Sequence, residues 1–344
     1  MPSDRWYAKL SGMLLTGLQK TAAVVERFLL IWLCIASGIA FGWPTRLEFD
    51  PFVDTADWVP YGFAVTMFAI GWLLHVNEVQ EVFRRWPLVL CGTTLQYLSM
   101  PLIAYLIANS FPLSDAWKLG IMMAGCVPGA MASNVLTMIA RGNVSYSLCL
   151  TTTATLLSPI CVPIALKLGM SESFEVPVEG IVVKLCWMVV GPVIGGFLVG
   201  LLFDFFNRRV RDWAQPIGKI VANLTILWII AVVVSANRER VTSIDASLLM
   251  AILTLNLGGY GVGQVGARLF RLPSSMGRAL TLEIGMQNAG LGVTLAMEIF
   301  GKESPVLIPV AIYTFGCMFT GTILARYWSS RPTELAAPPE SPPE

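Results

Sequence analysis

The stretch Ile121-Met-Met-Ala-Gly-Cys-Val-Pro-Gly-Ala-Met-Ala-Ser-Asn-Val-Leu136 decides the fold. It is apolar enough for a membrane span, yet Pro128 lacks a backbone donor and clashes with the preceding turn, while Gly129 permits unusual dihedrals. The spacing predicts a helix that breaks near Pro128 and restarts close to Ala132. A second apolar stretch, Thr281-Leu-Glu-Ile-Gly-Met-Gln-Asn-Ala-Gly290, carries Gly285 and Gly290 around Met286-Gln-Asn-Ala289 and predicts a second break. Broken backbone at membrane depth is tolerated only where protein or an aqueous cavity satisfies its polar groups. Two such interruptions in matching positions point to a binding site, because freed carbonyls accept a cation and half-helix N-termini attract an anion.

The composition agrees with a bilayer setting. The chain has 344 residues, 55% hydrophobic and 13% charged, with a mean hydropathy of +0.68. A soluble domain carries about 25% charged residues, so this chain cannot cover a water-facing surface. A net charge of +1 without a basic stripe argues against nucleic acid as a partner. The seven cysteines are scattered through apolar runs without a CxxC pair, and read as small apolar fillers. One histidine, His75, cannot build a His-rich metal site. Residues 1–23 mix charges with apolar groups and show no cleavage-type site, so they read as a cytoplasmic segment rather than a secretory signal. The Pro/Glu-rich tail, 328–344, is expected to be disordered.

A spanning helix needs about 20 mainly apolar residues. Ten candidates follow, at roughly 24–42, 58–75, 86–109, 116–140, 143–168, 180–203, 216–236, 245–268, 276–300 and 304–327. Fourteen Lys and Arg fall on the side of the N-terminus and six on the other, which places both termini in the cytoplasm by the positive-inside rule. Adding 154 to numbers in the first five spans lands close to the second five and carries Ser133-Asn134 onto Gln287-Asn288. Five is odd, so the second repeat (178–327) must enter the membrane opposite to the first (24–168), as in secondary transporters. The expected fold is an all-α polytopic membrane protein, ten transmembrane helices in two inverted five-helix repeats.

Glu283 lies about a third of the way into span nine. Comparable charges at a helix centre cost about 2.5–3.5 kcal/mol on insertion scales. No Lys or Arg lies deep in a span to offset it, which leaves a bound cation or a proton. Uncharged oxygen donors gather around it in the sequence pattern: Gln287 one turn on, Ser133 and Asn134 at the restart of span four, Ser147 and Thr151 at i and i+4 on span five, and Gln96 in mid-span three. Hard cations prefer this set of oxygens.

At these residues the chain resembles the bile acid:sodium symporter family in its ten-span bacterial form. The matching motifs are Gly125-Cys-Val-Pro-Gly-Ala-Met-Ala-Ser-Asn134, Ala140-Arg-Gly-Asn-Val144, Leu157-Ser-Pro159 and Leu282-Glu-Ile-Gly-Met-Gln-Asn-Ala-Gly290. The resemblance implies that broken helices four and nine cross in a core domain (spans three to five and eight to ten) packed against a panel domain (spans one, two, six and seven). It implies two Na+ sites. The first uses Ser133, Asn134, Ser147, Thr151 and Glu283; the second uses Gln96, Glu283 and Gln287 with backbone carbonyls near Ile284 and Met286. The substrate region departs from the pattern at Ala130-Met131 and at Gly316-Cys317-Met318, which add flexible apolar bulk. Bile acid and smaller organic acids both remain open as substrates, bound near Asn134 and Asn288.

These readings lead to a sodium-coupled symporter of an organic anion in a bacterial inner membrane, working by alternating access. A proton carried on Glu283 is the rival coupling ion. An intramembrane enzyme is disfavoured by the lone His75 and the lack of an HExxH motif or of aspartates in the apolar cores.

Overall fold

The computed structural model describes residues 2–44, 49–169, 177–206 and 209–331, with the side chains of 2–11, 206 and 209–211 left out. Among the described residues the protein is helical throughout. The helices are α1 (Pro2–Arg27), α2 (Leu29–Gly42), α3 (Val59–Leu73), α4 (Val76–Arg84), α5 (Trp86–Ser110), α6 (Asp115–Cys126), α7 (Ala132–Ile139) and α8 (Val144–Gly169). There follow α9 (Val178–Leu185), α10 (Gly191–Phe206), α11 (Arg209–Ala236), α12 (Arg238–Val241), α13 (Ala246–Leu269), α14 (Ser274–Gly285), α15 (Ala289–Phe300) and α16 (Leu307–Ser329).

Among the described residues six helical stretches are long and apolar enough to cross a membrane: α5, α8, α9 joined to α10 through one π turn, α11, α13 and α16. The bent pairs α1–α2 and α3–α4 also pass when each is taken together, which gives up to eight. Their bends are 74° and 81°. Proline inside a long span is accommodated at Pro101 in α5 and at Pro159 and Pro163 in α8. Neighbouring helices and local adjustments re-satisfy the freed backbone groups there.

Three boundaries differ from the sequence reading. α1 runs through the expected start of span one and ends only at Phe28, whose backbone (φ −110°, ψ 22°) leaves the helical region. The charged punctuation at 81–87 is not a loop, because residues 76–84 form α4, with the Glu78 carboxylate accepting from the His75 backbone N–H at 3.0 Å. In the tail, Trp328 and Ser329 continue α16, whereas 332–344 lie outside the described residues. Arg46 and Arg208 of the charge count also lie outside them.

The two breaks fall where proline and glycine place them, and they meet. Gly129 and Gln287 form an isolated antiparallel bridge. Ala130 N–H donates to the Met286 carbonyl and Asn288 N–H to the Pro128 carbonyl, both at 2.7 Å. Each break thus satisfies backbone groups of the other, which is how non-helical chain survives away from water. The α6 and α14 ends, Cys126 and Gly285, lie 159 residues apart in sequence, and the α7 and α15 starts, Ala132 and Ala289, lie 157 apart.

Candidate functional site

Glu283 sits two residues before the end of α14, 1% exposed. Its carboxylate accepts from Ser133 Oγ at 2.5 Å, from Thr151 Oγ1 at 2.7 and 2.8 Å and from Ser147 Oγ at 3.5 Å. Ser133 is the second residue of α7, while Ser147 and Thr151 share one face of α8. Thr137 Oγ1 donates to Ser147 Oγ at 3.4 Å and completes the hydroxyl cluster. A Cβ on Gly129 would stand 2.1 Å from Glu283 Oε1, so glycine at the first break makes room for the carboxylate.

Asn134 is buried (8% exposed), yet neither amide atom has a hydrogen-bond partner among the described residues. A buried unpaired amide costs about 1–3 kcal/mol. Among the described residues the hydrogen-bond partners of the carboxylate are neutral hydroxyls, and the next residue after Ser133 carries an amide without a partner. A hydroxyl can donate to the carboxylate or turn a lone pair toward a cation. That donor chemistry fits a hard monovalent or divalent ion and not a thiophilic one.

Gln96 and Gln287 form a second pair. Gln96 Nε2 donates to Gln287 Oε1 at 3.5 Å, and Gln287 Nε2 donates to the Ile284 carbonyl at 2.9 Å. The Met286 carbonyl accepts from Ala130 N–H. Among the described residues no hydrogen bond joins this pair directly to Glu283, although both belong to the same crossing.

Next to the crossing lies an open crevice. α2, α3 and α11 supply one wall with Leu33, Phe63, Thr66, Asn223 and Ile226. The other wall carries Met131, Asn288, Thr314, Cys317 and Met318. The first residues of α7 and α15, Ala132 and Ala289, both line it. Two helix N-termini thus border one space, with positive dipole ends that suit an anion. Of the residues expected near substrate, Asn288, Met131, Cys317 and Met318 line this crevice, and Asn134 is not among its lining residues. Asn288 Oδ1 also caps α15 by accepting from Leu291 N–H at 3.0 Å.

The sequence reading passed over Thr314, whose buried hydroxyl has no partner among the described residues, and Asn256 on α13, whose amide donates to the Gly285 carbonyl at 2.7 Å. Asn256 was discernible as a lone amide in Leu253-Thr-Leu-Asn-Leu257. The α3 and α11 residues were not, because only packing turns them toward the break.

A family model described as Sodium Bile acid symporter family matches residues 60–244. The chain is 30% identical over 301 residues to the sodium-dependent transporter YocS of Bacillus subtilis, covering 88% of this chain and 90% of that one. It is 27% identical over 282 residues to the probable sodium/metabolite cotransporter BASS1 of Arabidopsis thaliana chloroplasts (82% and 69% covered). It is 26% identical over 263 residues to the sodium/bile acid cotransporter 4 of Rattus norvegicus (74% and 58% covered).

Proposed function

Since the chain belongs to the sodium bile acid symporter family, whose members are transporters and not enzymes, we propose that it is a sodium-coupled symporter of an organic anion working by alternating access. The observation that carries this reading is Glu283: a carboxylate buried where two broken helices meet, held by hydroxyls from α7 and α8, in a protein whose half-helix N-termini border one crevice. Sodium is a co-substrate here. Ser133, Asn134, Ser147, Thr151 and Glu283 would hold one ion; Gln96, Glu283, Gln287 and the Ile284 and Met286 carbonyls would hold a second. Their shared residue is Glu283 on α14, to which α5, α7 and α8 would be drawn only when the ions are present, and that sets the N-termini facing the anion. The crevice has apolar walls with few polar groups, which favours a carboxylate with an apolar body.

We further infer the ten-span inverted repeat. Six long stretches and two bent pairs supply eight spans, and the broken pairs α6–α7 and α14–α15 supply the other two. Spans one, two, six and seven would move against the rest. The protein is an integral membrane protein; both termini in the cytoplasm of a bacterial cell is the topology that the loop charges favour.

Glu283→Gln keeps the shape and removes the charge. The expected outcome in proteoliposomes under an imposed Na+ gradient is loss of sodium-driven uptake of an organic anion. Uptake at the parent rate by that variant would sink the assignment. A carboxylate with hydroxyl donors on both oxygens also suits proton binding, so the same vesicles under a pH gradient without Na+ test the rival ion.

A further inference from the structure

At the α14–α15 break the Gly285 carbonyl receives two side-chain donors from different helices: Asn256 Nδ2 of α13 at 2.7 Å and the Tyr313 hydroxyl of α16 at 2.8 Å. Both side chains are 0% exposed. A carbonyl only accepts, so the Asn256 amide must turn its NH2 to Gly285 and its Oδ1 to Thr320, whose hydroxyl donates at 2.6 Å. Thr320 Oγ1 in turn lies 3.3 Å from the Tyr260 hydroxyl. The amide is therefore held in one orientation by α16.

Backbone packing leaves this corner no slack. A Cβ on Gly259 would come within 2.9 Å of Gly285 Cα and 3.0 Å of the Ile284 carbonyl. A Cβ on Gly285 would meet the Tyr260 ring at 2.1 Å. One donor would satisfy a single freed carbonyl, so a second, from another helix, fixes its direction as well. Ile284 and Met286 flank this clamped carbonyl, and Gln287 follows. The neighbouring face of α16 carries Thr314, Cys317 and Met318 into the crevice. One helix thus touches both the crevice and the clamp.

We propose that Asn256, Tyr313 and Thr320 are positioning residues of the second cation site: by clamping the Gly285 carbonyl they aim the Ile284 and Met286 carbonyls and Gln287, and they link that aim to the α16 wall of the crevice. This rests on the sodium-coupled reading above. The test uses the full chain in detergent with Na+ alone as ligand, and follows the thermal midpoint against NaCl with choline chloride holding ionic strength constant. Asn256→Asp turns an acceptor toward a carbonyl, and Tyr313→Phe deletes one hydroxyl while keeping the ring. Each should raise the Na+ concentration for half-maximal stabilisation by about 5- to 10-fold, the scale of one lost buried hydrogen bond. Thr254→Val, on the exposed side of α13 where the hydroxyl bonds only its own helix, should match the parent. If Asn256→Asp does not fold, Tyr313→Phe decides alone. An unchanged Na+ midpoint concentration in Tyr313→Phe, or a fall in thermal midpoint that is equal with and without Na+, overturns the proposal. A parent protein that ignores Na+ sinks the sodium-coupled reading and this inference with it; a responsive parent matched by its variants sinks this inference alone.

Discussion

Glu283 and Asp50 are two carboxylates under opposite regimes. Among the described residues Glu283 has no ion pair, and hydroxyls from α7 and α8 donate to it. Asp50, in the loop before α3, has Arg238 on Oδ2 together with the Ser235 hydroxyl at 2.8 Å, while Oδ1 accepts from the N–H groups of Phe52 and Val53. Burial alone would push the Asp50 carboxyl up, but these four partners outweigh it and hold it below the ordinary carboxylate range. A group whose folded-state pKa is depressed adds stability above its unfolded value and loses it as pH falls through the folded one. Asp50→Asn should therefore lower the thermal midpoint at neutral pH, with the gap to the parent closing as pH drops below the usual carboxylate range. A gap that stays constant to strong acid would disprove a role for the charge. Glu283, Ser133, Ser147 and Thr151 were all legible as polar groups at improbable depth. The Asp50–Arg238 pair was not, since 188 residues separate its partners.

At the scale of elements, proline and glycine wrote the breaks into the sequence, and close helix approach is written there too once the packing is known. α3 and α10 touch through glycines: a Cβ on Gly196 would stand 2.0 Å from the Phe68 carbonyl, and one on Gly71 would stand 2.0 Å from that of Val193. Backbone cannot yield as a side-chain tip can. Gly196→Ala should destabilise by about 1–3 kcal/mol, the usual overpacking range. Gly38→Ala on α2 meets nothing within 4 Å and should be neutral or slightly stabilising. Thermal midpoints of the two variants check this, and equal midpoints would contradict it. The helical nature of 76–84 was hidden because its charges break the apolar run, although a polar helix can lie outside a span.

Across the whole molecule, three polar contacts gather where α15 ends. Lys184 on α9 pairs with Glu298 at 2.7 Å, Lys302 with Asp57 at 3.5 Å, and Arg240 donates to the Glu303 carbonyl at 2.6 Å. They tie residues 298–303 to α9, to the turn before α3 and to α12. Partly exposed pairs are each worth about 0–1 kcal/mol, so losing two shifts a two-state equilibrium by at most about 30-fold. Lys184→Gln combined with Lys302→Gln should speed modification of Cys317, which lines the crevice and is buried, by a bilayer-impermeant thiol reagent. Site-resolved mass spectrometry reads the rate, and an unchanged rate argues that these pairs do not hold that face shut.

The sequence by itself determined the solvent, the helical class, both break points and the family. Apolar run length, the missing proline donor and the unoffset Glu283 charge are local properties of the chain. Only the tertiary structure decided which groups share a space. It bridged Gly129 to Gln287, set hydroxyls of α7 and α8 on the Glu283 carboxylate, and brought α3, α11 and α16 around the half-helix ends. It also set Asn256, Tyr313 and Thr320 on one carbonyl. The physical reason is that backbone groups freed at a break must be satisfied by whatever packs there, and packing joins residues more than a hundred positions apart.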